Sequence, residues 1–151
     1  MNLEKLEEQI RVQMKKAYFD LVTESLEKKE NLDWVVTLYE EIKNRLLKVV
    51  KPNSKTYNDI NESLDSQIFK QLLENDLFDG EYMVNLVNTI FGFIEKLQAP
   101  ARDEICRESK NKIFSSGQDV IAIIPTFISE VHFLIDFIEL DLKKFYENIK
   151  K

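Results

Sequence analysis

Apolar residues recur along this chain at steps of three to five positions, the spacing that keeps side chains on one face of a helix. From Leu3 the series runs through Leu6, Ile10, Met14, Ala17 and Leu21 to Leu26, which predicts a first helix with this stripe turned to the core. The polar cluster Lys28-Lys29-Glu30-Asn31 interrupts it. Val35, Leu38, Ile42, Leu46 and Val49 mark a second helix that ends before Lys51-Pro52-Asn53-Ser54, because Pro52 pushes its neighbour out of helical geometry. Tyr57, Ile60, Leu64, Ile68 and Leu72 predict a third helix, with Thr56 and Asp59 placed to cap its start. After Asp79-Gly80, a fourth segment from Met83 to Leu97 is nearly all apolar or amide, as suits a helix buried in a bundle. Pro100 stops it. A shorter, more polar helix follows from about Ala101 to Phe114, and a long one from about Gln118 to Ile149, with Pro125 expected to kink its first turns.

Six helical segments without repeats or a low-complexity linker predict an all-α fold, a single-domain bundle of about six helices with a long, kinked C-terminal helix. Composition agrees: of 151 residues 44% are apolar, and only three Gly and three Pro are available for the turns that a many-stranded sheet needs. A chain of this length buries about 68–70% of its unfolded surface, so it holds a core without staples. The net charge of −6, with basic and acidic residues interleaved, leaves no continuous positive stripe for phosphates, so nucleic acid is not an expected partner. A lone cysteine, Cys106, precludes an internal disulfide and fits a reducing compartment. The charged first 16 residues do not form a secretory signal. The longest uncharged apolar stretch, Tyr82–Ile94, is shorter than the ~20 residues of a membrane span, and the expected location is cytoplasmic.

Catalytic and metal chemistry find little support. One histidine, His132, cannot supply the paired ligands of a di-iron bundle or a zinc helix, and no glycine-rich turn is present to cradle phosphate. His132 and Cys106 lie on different segments and are read as structural, and the 27 carboxylates scatter over solvent-facing positions. Neither a catalytic site nor a cofactor or metal site is expected. The lone Trp34 is expected to pack into the core in preference to an interface.

Two stretches depart from generic helix chemistry. Gln98-Ala99-Pro100-Ala101-Arg102-Asp103-Glu104 reads as a helix start, with Pro100 in the first turn and Asp103 and Glu104 at the positive end of the dipole. Arg102 opposes that dipole and therefore calls for a carboxylate on another helix; Asp65, an acid inside an apolar stripe, is the favoured partner. The last helix is the second. It has no Lys or Arg between Lys112 and Lys143 and two apolar faces. Ile124, Val131, Leu134, Ile135, Ile138, Leu142, Phe145 and Ile149 form the expected core face. Phe133, Phe137 and Leu140 lie nearly opposite. They either meet a second neighbour or form a partner-binding patch rimmed by Glu130, Asp136 and Asp141.

The first of these stretches resembles the Cys-Ala-Pro-x-Arg-Asp-Glu signature of the T-complex protein 11 family, with Gln98 in place of the cysteine. Leu38-Tyr39-Glu40-Glu41-Ile42-Lys43, Leu64-Asp65 followed by Ile68 to Gln71, and Leu140-Asp141-Leu142 near Phe145 extend the likeness over about Trp34 to Phe145, part of a longer typical member. The resemblance implies a structural signature made of Ala99, Pro100, Arg102, Asp103 and Glu104 with Asp65. It also implies a non-enzymatic regulatory protein with protein partners in cyclic-AMP-dependent protein kinase signalling. The competing expectation is a compact Bcl-2-like groove domain that buries an amphipathic helix.

Overall fold

The computed structural model describes residues 2–149, and every regular element among them is helical. In chain order these are α1 (Leu3–Lys28), α2 (Leu32–Lys48), α3 (Lys55–Ser63), α4 (Ser66–Glu74), α5 (Gly80–Leu97), α6 (Asp103–Ser115) and α7 (Val120–Ile149), with a 3₁₀ turn over Pro100–Arg102. The expected third helix is divided. Leu64 leaves helical geometry, and the Asp65 side chain accepts hydrogen bonds from the backbone N–H groups of Gln67 and Ile68, capping a new helix. The start of α3 is capped by Ser54, which accepts from Tyr57 N–H at 3.1 Å, and not by Thr56 with Asp59.

The core is organised by two helices. α7 packs against α1, α2, α5 and α6, while α2 also meets α3 and α4. α5 contributes Met83, Leu86, Val87, Ile90, Phe91, Phe93 and Ile94 to the interior, each worth roughly 1.5–3 kcal/mol on full burial. Its start is capped by Asp79, which accepts from Tyr82 N–H. Ile124, Val131, Leu134, Ile135 and Ile138 form the buried face of α7 as the periodicity predicts. Leu142 is half-buried, but Phe145 and Ile149 are exposed, because the last turns of this helix extend past the elements that cover its middle. α7 continues through Pro125, at the cost of the ladder hydrogen bond to Ile121 that this residue cannot donate. α7 alone among the described helices is long and apolar enough to cross a membrane, and half of that apolar window (50%) is buried inside the bundle.

α1 departs most from expectation. Val22, Ser25 and Leu26 are its buried residues, whereas every residue from Asn2 to Leu21 is exposed, including the stripe expected in the core. The contrast falls between neighbours: Leu21 keeps 50% of its surface and Val22 2%. The helix thus packs through a different face from the one its apolar spacing marks. Trp34 is half-buried at the start of α2, packed on the core and stacked on Tyr18 of α1 at 5.9 Å between ring centres.

Two tight points shape the chain. A Cβ at Gly117 would lie 2.6 Å from that of Ala122, so only glycine allows the turn before α7 to fold this close to the helix that Asp119 caps through Ala122 N–H. Tyr39, fully buried in α2, stacks on Phe69 with ring centres 4.2 Å apart, and its hydroxyl has no hydrogen-bond partner. An unmade buried hydrogen bond costs about 1–3 kcal/mol, so Tyr39→Phe is expected to raise stability by up to that amount. Urea melts of the two proteins check this; a lower midpoint for the phenylalanine variant would show that the hydroxyl is satisfied in solution.

Candidate functional site

The Ala-Pro-x-Arg-Asp-Glu stretch forms a compact corner between α5 and α6. Ala99 precedes a 3₁₀ turn that Pro100 opens and that closes with Arg102 N–H donating to Ala99 O at 2.9 Å. Gln98 Nε2 donates to Asp103 Oδ1 at 2.8 Å and thereby ties the end of α5 to the first residue of α6. Glu104 lies beside Asp103 in the first turn of α6, where the helix dipole favours acids.

Arg102 finds its carboxylate on another helix, as its position required, but the partner is Asp141 of α7 and not Asp65. Its Nε donates to Oδ2 at 3.2 Å and its Nη2 to Oδ1 at 3.0 Å, a bidentate pair in which the two side chains retain 23% and 26% of their surface. The guanidinium also lies over the Phe137 ring, 4.2 Å from its centre. Asp65 is occupied by the cap of α4, which meets the need for a partner with backbone N–H groups.

The pair on α7 settles much of the second apolar face. Phe133 and Phe137 are half-buried and meet edge to face at 4.9 Å, with Lys15 over the first and Arg102 over the second. Leu140 is exposed. The expected acidic rim is spent within the chain. Glu130 is buried, accepts from Ser109 Oγ at 3.0 Å and meets Lys112 Nζ at 2.9 Å. Asp136 and Glu139 both bind Arg45 of α2, a network that sequence reasoning missed although its acids stand one turn apart on α7. Neither the wholly buried nor the wholly exposed version of the patch describes it: cations from α1, α2 and the α5–α6 corner cover most of it.

His132 belongs to the same network. Arg45 Nη1 lies 2.9 Å from its Nδ1, and since a guanidinium only donates, Nδ1 accepts; Nε2 then carries the proton and donates to Leu38 O at 3.2 Å. Burial, assisted by Arg45, pushes the imidazole below its ordinary pKa of 6.5, against the opposing effect of the Leu38 carbonyl. Burial likewise pushes the Cys106 thiol up, so it stays protonated on α6.

Beside His132 lies a cleft of about 340 Å³ between α1, α2 and α7. Tyr18, Phe19, Trp34, Leu38, Ile128 and Phe133 form its apolar walls, and Lys15, Glu41, Ser129, His132 and Asp136 its polar ones. Sequence reasoning missed this cleft because its walls come from three helices, none of which marks it alone.

An all-helical domain with a signature corner clamped by Arg102 and Asp141 to its longest helix defines the class of this protein as an all-α bundle. The family model for T-complex protein 11 matches residues 1–145, and the chain belongs to that family. No curated protein and no solved structure matches it.

Removing the guanidinium by Arg102→Ala is expected to lower the melting temperature and to make Asp141→Asn nearly without further effect, since the second substitution then breaks a pair already lost. Additive losses in this double-mutant cycle would show that the two residues act separately. For His132 the folded pKa lies below the unfolded one, so the unfolded chain binds the proton first; the stabilisation is full above pH ~6.5 and fades as pH falls through the folded pKa. With one histidine in the chain, its ring resonance in a proton spectrum gives that midpoint directly, and a midpoint at or above the ordinary value would contradict the buried neutral imidazole.

Proposed function

We propose that this chain is a non-catalytic, cytoplasmic regulatory module that binds a protein partner in the cyclic-AMP-dependent protein kinase pathway through the cleft between α1, α2 and α7. The observation that carries this reading is the cleft itself, with Trp34 and Tyr18 stacked at one wall and Phe133 at another. Aromatic side chains that are rigid and half-exposed are the residues that carry most binding energy at protein interfaces. Glu41 stands at the rim without an ion pair among the described residues, whereas Asp136 is engaged by Arg45. The favoured ligand is therefore a peptide segment with one large apolar side chain for the cleft and a basic residue for Glu41.

The cleft volume lies at the lower end of the ~300–1,000 Å³ range of ligand pockets. It suits one anchor side chain. A groove of the Bcl-2 type must take a row of anchors along an amphipathic helix, which fits this surface less well. The family membership supports the pathway assignment, and the engagement of the signature arginine by Asp141 supports a structural role for the corner.

Direct binding of the purified chain to the regulatory and catalytic subunits of the kinase tests this. We expect binding to one of them, weakened at least tenfold by Tyr18→Ala combined with Glu41→Lys while the melting temperature stays within about a degree of the parent; tenfold corresponds to the ~1.4 kcal/mol that a single interface contact commonly carries. Binding unaffected by the double substitution would remove the cleft from the reading, and the absence of binding to either subunit would remove the pathway.

A further inference from the structure

The acidic and basic residues that alternate along most of this chain separate in one place. From Ile42 to Asn58 there are five basic residues, Lys43, Arg45, Lys48, Lys51 and Lys55, and no Asp or Glu, in a chain of net charge −6. Arg45 is spent on Asp136 and Glu139. The four lysines make no ion pair among the described residues. Lys48, Lys51 and Lys55 are exposed. Lys55 also opens α3, where the helix dipole disfavours a cation, and unlike Arg102 it has no carboxylate from another helix to compensate.

The packing of α2 on α7 brings another lysine to the same end of the bundle. His132 Nε2 donates to Leu38 O and Arg45 pairs with Glu139, both across a separation of 94 residues, so the two helices run in one direction and in constant register. Continued by one turn, that register sets Lys48 beside Leu142 and Lys143 and brings the α2–α3 turn to the level of Tyr146. Leu47, Val49, Val50 and Leu142 all pack on the core, so the two elements stay together there. Lys143 follows Asp136, and Tyr146 follows Glu139, by two helical turns, so both continue the face of α7 on which Arg45 docks. Tyr146 keeps 60% of its surface. Glu147 is the one acid from Leu142 to Ile149.

We infer that this end of the bundle, Lys48, Lys51 and Lys55 with Lys143 and Tyr146, docks on an anionic lipid bilayer. Charge complementarity selects an anionic partner. The kind of cation selects lipid. Lysine is a compact, strongly hydrated point charge that suits a diffuse layer of headgroups, whereas an acidic protein favours the planar fork of arginine, and lysine is depleted from protein interfaces. An exposed tyrosine beside the lysines fits the headgroup level, where its ring meets apolar material and its hydroxyl stays wet. A bilayer also meets only one end of the molecule, so most of the acids lie beyond the screening length of about 8 Å at physiological salt. The inference stands apart from the cleft, and vesicle binding is measured without any kinase subunit.

Co-sedimentation of the full chain with vesicles tests it. Binding is expected to vesicles of phosphatidylcholine with about one third phosphatidylserine, and not to phosphatidylcholine alone. It should be lost when salt is raised from about 0.1 M to about 1 M, which shortens the screening length from about 10 Å to about 3 Å. Each lysine near an anionic surface contributes about fivefold, so Lys48→Gln, Lys51→Gln and Lys143→Gln together are expected to weaken binding about a hundredfold with the fold intact by circular dichroism. Lys28→Gln, Lys29→Gln and Lys70→Gln remove the same charge around the start of α2, where Glu24, Asp76 and Asp33 hold these lysines, and should change binding by no more than about twofold. Absence of binding to the phosphatidylserine vesicles overturns the inference, and so does an equal loss from both sets of substitutions, which would reduce the attraction to net charge. Unfolding of the first triple variant would also overturn it, because the lysines would then be structural. Displacement from the vesicles by poly-glutamate or duplex DNA at equal charge would do the same, giving the lysines to an acidic protein or a nucleic acid.

Discussion

The burial of α7 is the constraint on which the rest of this structure depends. A 30-residue helix with buried Ile124, Phe127, Val131, Leu134, Ile135 and Ile138 on one side must be wrapped, and α1, α2, α5 and α6 all take their places by packing on it. Its second apolar face is not wrapped by another helix. It is screened by cationic side chains, Lys15 over Phe133 and Arg102 over Phe137, with Arg45 on the neighbouring acids. Because α7 carries no Lys or Arg before Lys143, every one of these cations comes from a different element. The acids of α7 therefore act as docking points that fix the register of α1, α2 and the α5–α6 corner against it. Such partly exposed pairs add modest stability but select geometry, since a slide of α7 by one turn would carry Asp136 and Asp141 about 5.4 Å past their cations.

Much of the fold was legible in the spacing of apolar residues. The α2, α5 and α6 segments and the buried half of α7 follow it closely, because in each the apolar face and the packed face coincide. Where the two part, the sequence misleads. The stripe of Leu64 and Ile68 runs on in register across Asp65, and only the competition between the Asp65 carboxylate and the helix backbone splits it into α3 and α4. In α1 the more regular stripe is an exposed one, while burial is confined to Val22, Ser25 and Leu26, and the exposed Lys15 and Tyr18 still touch the bundle through Phe133 and Trp34.

The candidate site shows the same division. That Arg102 needs a carboxylate followed from its place at the start of a helix, a local fact; that the carboxylate is Asp141 depends on how α7 is laid across the corner, 39 residues along the chain. Asp65 was a reasonable partner by charge but had a nearer one in its own backbone. The network of Arg45, His132, Asp136 and Glu139 left a trace in the acids of α7, yet nothing near Arg45 in sequence identifies it as their counterpart. Clefts are harder still, since the one beside His132 exists only where three helices diverge.

The two faces of α1 have different chemistries, and this bears on how the chain is used. The inner face contributes Lys15, Tyr18, Phe19 and Val22 to a cleft whose other walls belong to α2 and α7, so its geometry is set by the bundle. The outer face is set by α1 alone. Because both are on one rigid rod of helix, they cannot move independently: a contact that straightens or shifts the outer stripe also moves Tyr18 against Trp34 and Lys15 against Phe133. Such coupling needs no separate switch. It requires only that α1 be held to the bundle lightly, and Val22, Ser25 and Leu26 at its C-terminal end are its only buried residues among those described. α1 is anchored at its C-terminal end and exposed from Asn2 to Leu21, so its N-terminal turns open at low cost, and it forms one wall of the cleft.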